Sequence, residues 1–227
     1  MDYSDDFDAV RATSSTAWED ETEDIGQTSL QRLTRWWINE RGAPDILVWQ
    51  AQLVEELLDS LHNQATMVQH IRSDPRTSEQ EHFRVVLVQT EMERVKFLIR
   101  SYLRVRIHKI EKYAGYIMRE PGVQVKLSSG ELTHAQKYYD LISKYFHSSA
   151  LEGLPENMRS LDEQLPNGRS MITEPDKDRG VFVRARKKCE NVRLPNGDSL
   201  TIEKGSIHLL RYRTVEDLVA RAEVELI

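Results

Sequence analysis

Apolar positions recur with helical spacing over most of the first 150 residues and with strand spacing near the C-terminal end. Order is expected to begin at Thr28, where Thr28 and Gln31 have the separation of a capping box. Leu30, Leu33 and Trp37 follow at helical spacing, and Gly42, Ala43 and Pro44 end that segment. A second helix is predicted from about Trp49 to Ile71, with Leu53, Leu57, Leu61 and Val68 on one face, before Asp74-Pro75. The third and longest runs from about Ser78 to Met118, closed by Pro121-Gly122. A fourth spans about Gly130 to Ala150, with Ser129 as its candidate cap and Leu132, Ala135, Tyr139, Ile142 and Phe146 on one face. Four such helices with short connections imply an all-α bundle.

The pattern then changes. Residues 160–178 carry proline and glycine without a period and read as a linker. Beyond it, Val181, Val183 and Ala185 alternate with charged or aromatic residues, as on a half-buried strand. Pro195-Asn196-Gly197 marks a hairpin turn, and Thr214 with Asp217 could cap one helical turn. The fold class expected is therefore mainly α: residues 27–159 form a helical A domain, and residues 179–227 form a small β-rich B domain. A unit of that size buries little surface alone and is expected to dock, with Val224, Leu226 and Ile227 as its apolar contact residues.

Residues 1–26 contain nine acidic residues against one basic, Arg11, and their few apolar residues show no period. They read as a disordered acidic tail rather than a secretory or mitochondrial address. Within the tail, Asp5, Asp6, Phe7 and Val10 form a candidate docking peptide, because Phe7 and Val10 would share one face of a helix. No apolar run approaches the length of a membrane span. Net charge is -6, which favours protein partners over direct DNA binding, and Cys189 is the single cysteine, which suits a reducing compartment.

The chain carries no phosphate-binding glycine loop, no nucleophile elbow and no metal-binding His-Glu pair motif, so no catalytic, cofactor or metal residue is expected. His62 and His70 read as surface residues, Cys189 as structural, and His147-Ser148-Ser149 as coincidence.

The long helix is more informative. Val85, Val88, Met92, Val95, Ile99, Tyr102, Leu103, Ile110, Tyr113 and Ile117 form one broad apolar stripe. Arg106 falls inside it and must be paired with a carboxylate, because an unpaired buried charge is very costly. Phe97, Leu98, Val105 and Ile107 lie off the stripe, which implies partner subunits around the helix. Lys96, Arg100 and Arg104 make a basic stripe that could meet acidic partner helices or DNA phosphates. Of the adjacent Trp36 and Trp37, one is expected in the core and Trp36 is the candidate for an interface.

The segment QTEMERVKFLIRSYLRVRIHKIEKY, Gln89 to Tyr113, resembles the central helix of the Sld-five subunits of the GINS family. IEKGSIHLLRYRTVEDLVARAEVELI, Ile202 to Ile227, is similar to their C-terminus, and LTRWWINERGAPDIL, LPENM and VFVRARKKCENV fit as well. That resemblance implies an A domain followed by a B domain. It implies a nuclear, non-enzymatic subunit of a heterotetramer with partner-of-Sld-five one, two and three. It further implies docking on the MCM ring with the cell-division-cycle factor forty-five, to form the helicase of replication origins and forks. Some members carry an N-terminal peptide that inserts into a trimeric replisome adaptor, and residues 5–10 loosely resemble it. The alternative reading is a nucleic-acid-binding regulator that uses the basic stripe.

Overall fold

The computed structural model describes residues 27–74, 78–161, 172–195 and 197–227. The acidic tail, with Asp5, Asp6, Phe7 and Val10, and most of the expected linker lie outside them. Seven α-helices occur among the described residues: α1 Ser29–Gly42, α2 Ala51–Ser73, α3 Glu79–Lys112, α4 Ala114–Arg119, α5 Pro121–Gln124, α6 Ser129–Ser149 and α7 Tyr212–Ala220. Five strands, β1 Gly180–Ala185, β2 Cys189–Arg193, β3 Ser199–Ile202, β4 Ile207–Arg211 and β5 Val224–Leu226, complete a helical bundle followed by a small strand-rich region.

Reciprocal capping fixes three helix starts. Thr28 and Gln31 cap α1, Ser78 and Glu81 cap α3, and Ser128 and Glu131 cap α6. The cap of α6 is thus Ser128 and not Ser129, because Ser128 has the three-residue spacing to Glu131 that the reciprocal bonds need. The expected single helix from Ser78 to Met118 is broken at Tyr113, whose φ of -110° and ψ of 21° leave the helical region. The turn lets the Tyr113 ring into a core with Ile46, Ile110, Ile117, Val123 and Ala135. It also presents Gly115 to Ile172, where a Cβ would stand only 3.1 Å from the isoleucine Cγ2.

The helices hold two cores. One is built from Leu33 of α1, Val54, Leu57, Leu61 and Val68 of α2, and Val85, Met92, Ile99 and Tyr102 of α3; the other is the Tyr113 cluster. The strands β4, β1 and β5 form an antiparallel sheet in that order, and β2 pairs with β3 across the turn at Gly197, which has a φ of 88°. Val181, Val183 and Ala185 point inward as their alternation predicts, against Tyr212, Val215 and Val219 of α7. Helix α7 starts two residues before Thr214. Its first N–H groups are satisfied without a side-chain cap, since Tyr212 donates to the Arg179 carbonyl and Arg213 to that of Lys177.

This third core reaches into the bundle: Ala43 and Leu47 belong to it, and Trp36 packs against it. The strand-rich region is therefore seated on the C-terminal end of α1. Gly42 is required there, because a Cβ would come within 2.9 Å of the Leu226 Cβ.

Candidate protein-protein interface

The seam between bundle and strands is organised by a buried ionic network. Arg106 is 0% exposed. Its Nε donates to Glu131 Oε1 at 2.7 Å and its Nη2 to Glu131 Oε2 at 2.9 Å. Its Nη1 donates to Glu40 Oε2 at 3.1 Å and to the Leu47 carbonyl at 2.7 Å. The guanidinium also lies over the rings of Trp49 and Tyr102, which stack on each other. Burial disfavours its charge, but the Glu131 hydrogen bonds and the Glu40 carboxylate outweigh that, so its pKa is raised. The same burial pushes the Tyr102 hydroxyl up to about 12.

Lys109, one turn further along α3, donates to Glu40 Oε1 at 2.9 Å and to the Asp45 carbonyl at 2.7 Å. Burial lowers its pKa despite the facing Glu40. Asp45 pairs in turn with Lys126 at 2.9 Å, and Lys177 pairs with Glu216 of α7 at 2.9 Å and with Asp45 at 3.8 Å. The chain of charges thus runs from α6 through α3 and the α1–α2 turn to α7. Every cation in it has a carboxylate, which is the condition for tolerating such burial.

This network gives Arg106 the buried carboxylate contact its place in the apolar stripe calls for, and both carboxylates come from its own chain, so no part of the guanidinium is left to present to a partner. Leu98, 8% exposed, is likewise taken up by the core of α1, α2 and α3. Val224 and Leu226 are buried under the sheet, and Trp36 lies against that same core. These residues do pack against a docking surface, but it is the chain's own. Sequence reasoning could identify Arg106 as needing a partner. It missed Glu40, Asp45, Lys109 and Glu131, because nothing local marks contacts across 25 to 69 residues.

Other expected contact residues remain exposed. Phe97 is 61% exposed, and Phe83, Val86 and Leu87 lie on the same outer side of α3, opposite its core stripe. Ile107 is exposed and Val105 half-buried. Among the basic stripe, Lys96 pairs with Glu93 at 2.7 Å, Arg100 acts on the same carboxylate from further away, and Arg104 is exposed with no ion pair among the described residues. Helix α6 is stranger still: over 21 residues only Ala135 is buried, while Leu141, Tyr145 and Phe146 are exposed. On the strands, Phe182 and Leu209 face each other across the β1–β4 pair on the outer side, with Ile207 and Ile227 beside them, all exposed.

Among the described residues no group of His, Cys, Asp or Glu could hold a metal ion, and no helix is long and apolar enough to cross a membrane. Burial raises the Cys189 thiol pKa, against a nucleophilic role. Ser148 and Ser149 both donate to the Tyr145 carbonyl, and His62 and His70 are exposed.

Residues 53–150 match a family described as the GINS complex protein helical bundle domain, and residues 175–227 match the C-terminus of DNA replication complex GINS protein SLD5. The chain is similar to the DNA replication complex GINS protein sld5 of Schizosaccharomyces pombe, 37% identical over 84% of this chain and 88% of the relative. The SLD5 protein of Homo sapiens is 32% identical over 87% and 88%, and that of Arabidopsis thaliana 29% identical over 89% and 93%.

Proposed function

The chain belongs to the SLD5 family of GINS proteins, and we propose from that premise that it is a non-catalytic structural subunit of a heterotetrameric GINS complex. Its partners on this reading are partner-of-Sld-five one, two and three, in the nucleus. The tetramer joins the MCM ring and the cell-division-cycle factor forty-five in the active replicative helicase. The acidic tail adds a contact to a trimeric replisome adaptor.

One observation in this chain carries the subunit reading. A 21-residue helix, α6, buries a single residue and leaves large apolar side chains in solvent. Helices in proteins gain most of their stability from packing an apolar face, so this one is incomplete without further protein. The outer side of α3 and the outer sheet face extend the same argument. The A domain, residues 27–159, supplies the helical faces, and the B domain, residues 179–227, supplies Phe182, Leu209, Ile207 and Ile227.

Tagging this chain and co-expressing it with the three other subunits tests the reading. Stoichiometric recovery of all three with the tag is expected, and recovery of the tagged chain alone would overturn it. The exposed Arg100 and Arg104 support a second reading, direct DNA binding. That reading requires duplex affinity of the isolated chain that falls steeply with salt.

A further inference from the structure

Between the C-terminal half of α2 and the middle of α3 lies an open groove of about 730 Å³. Ala65, Val68 and Met92 give it an apolar floor, and Arg72 and Lys96 stand on its two walls. Glu93 is also at its edge, where it engages Lys96 at 2.7 Å. Arg72 forms no ion pair with a carboxylate among the described residues, and Arg100, one turn beyond Lys96, adds a further cation that shares the same Glu93. The groove therefore combines an apolar floor with cations that exceed their local neutralisation. It fits an acidic segment that carries an apolar side chain.

Such a segment belongs to this chain. Residues 1–26 hold nine acidic residues against one basic, so the remaining chain is net positive although the whole is -6. Asp5, Asp6 and Asp8 surround Phe7, with Val10 three positions on. The connection reaches. The tail enters α1 at Thr28, and the neighbouring Ser29 hydroxyl donates to Glu56 of α2 at 2.8 Å. Glu56 to Arg72 spans roughly 24 Å of helix at about 1.5 Å per residue. Residues 11–26 can cover roughly 50 Å at about 3.3 Å per residue.

We propose that the groove between α2 and α3 binds residues Asp5–Val10 of this same chain, Phe7 against Val68 and Met92 and the aspartates against Arg72 and Lys96. The contact is a weak intrachain one. Exposed ion pairs contribute little each and are screened by salt, so the apolar side chain sets the position and the charges select the segment. Any other protein that takes Phe7 and Val10 must first displace this contact. The proposal does not rest on the subunit reading, because both surfaces belong to one polypeptide.

The test places a photo-crosslinking benzoyl-phenylalanine at Phe7 in the full-length chain, in whatever assembly it purifies with, and maps adducts by mass spectrometry. Mixing isotope-labelled with unlabelled chain separates contacts within a chain from contacts between copies. The expected result is a dominant intrachain adduct within residues 65–72 or 89–96, with a yield that drops several-fold between low and high salt. Arg72→Glu with Lys96→Glu should lower the yield about fivefold or more. Adding Asp5→Lys and Asp6→Lys to that variant should restore it, which a misfolded groove would not permit. Adducts mainly to a second copy or to another protein, adducts scattered along the chain, or a yield indifferent to the charge reversals would each overturn the proposal.

Discussion

The side-chain oxygen of Asn39 accepts the backbone N–H of Leu226 at 2.8 Å, so the first helix holds the last strand across 187 residues. Both residues are buried, and the bond closes a seam already made tight by Gly42 against the Leu226 side chain. The small strand-rich region is thus a fixed part of the molecule, which aims its exposed sheet face in a set direction relative to the bundle.

Gly42→Ala should loosen that seam. The added methyl meets Leu226 at a distance no real Cβ keeps, and overpacking of this kind costs about 1–3 kcal/mol. Thermal unfolding of the variant should drop by roughly 2–10 °C. An unchanged melting temperature would mean that the strands do not bear on α1.

Arg106→Ala should destabilise by about 3–5 kcal/mol, because Glu40 and part of Glu131 lose their cation while still buried. Arg106→Lys should recover only part of this, since a lysine cannot make the two-pronged contact to Glu131 while reaching Glu40. Urea unfolding measures both. A loss under about 1 kcal/mol for the alanine variant would show that the network adds little.

Much of this fold was legible in the sequence, and the exceptions have physical causes. The extents of α1, α2 and α6 follow to within a residue or two from apolar periodicity, the start of α1 from its capping box, and the inward face of β1 from simple alternation. The break at Tyr113 was not legible: Gly115 two residues on lies inside a continuous apolar stripe, and the break goes with packing of the Tyr113 ring and of Gly115 against Ile172, both remote in sequence from the helix pattern. Arg106 announced its need for a carboxylate, but its partners come from two other helices. Helix α6 shows the deeper limit. An apolar stripe has the same spacing whether it fills a core or waits for another chain, so Leu132, Ala135, Tyr139, Ile142 and Phe146 gave no sign that only Ala135 would be buried. On α3 the distinction was readable in part, because Phe97 and Ile107 stand off the main stripe and are exposed, yet Leu98 beside them is not.

The tail should bind a trimeric replisome adaptor weakly. A peptide of residues 1–20 should titrate the adaptor's C-terminal region with a Kd of roughly micromolar order, since ordering the peptide offsets much of the burial. Phe7→Ala and Val10→Ala should each weaken binding. Undetectable binding, or binding indifferent to both changes, would remove the adaptor from the list of partners.

On the proposed reading, the outer faces of α3 and α6 are completed by other GINS subunits. That is tested most directly by native mass measurement after co-expression of all four, with this chain as wild type and as Phe97→Asp combined with Leu141→Asp and Tyr145→Asp. All three side chains are exposed, so their replacement removes little packing within the chain itself. A carboxylate buried without a partner at an interface costs several kcal/mol. The wild type should give one copy of each subunit, and the variant should be lost from the assembly. A variant that assembles into the same four-subunit particle would contradict that reading.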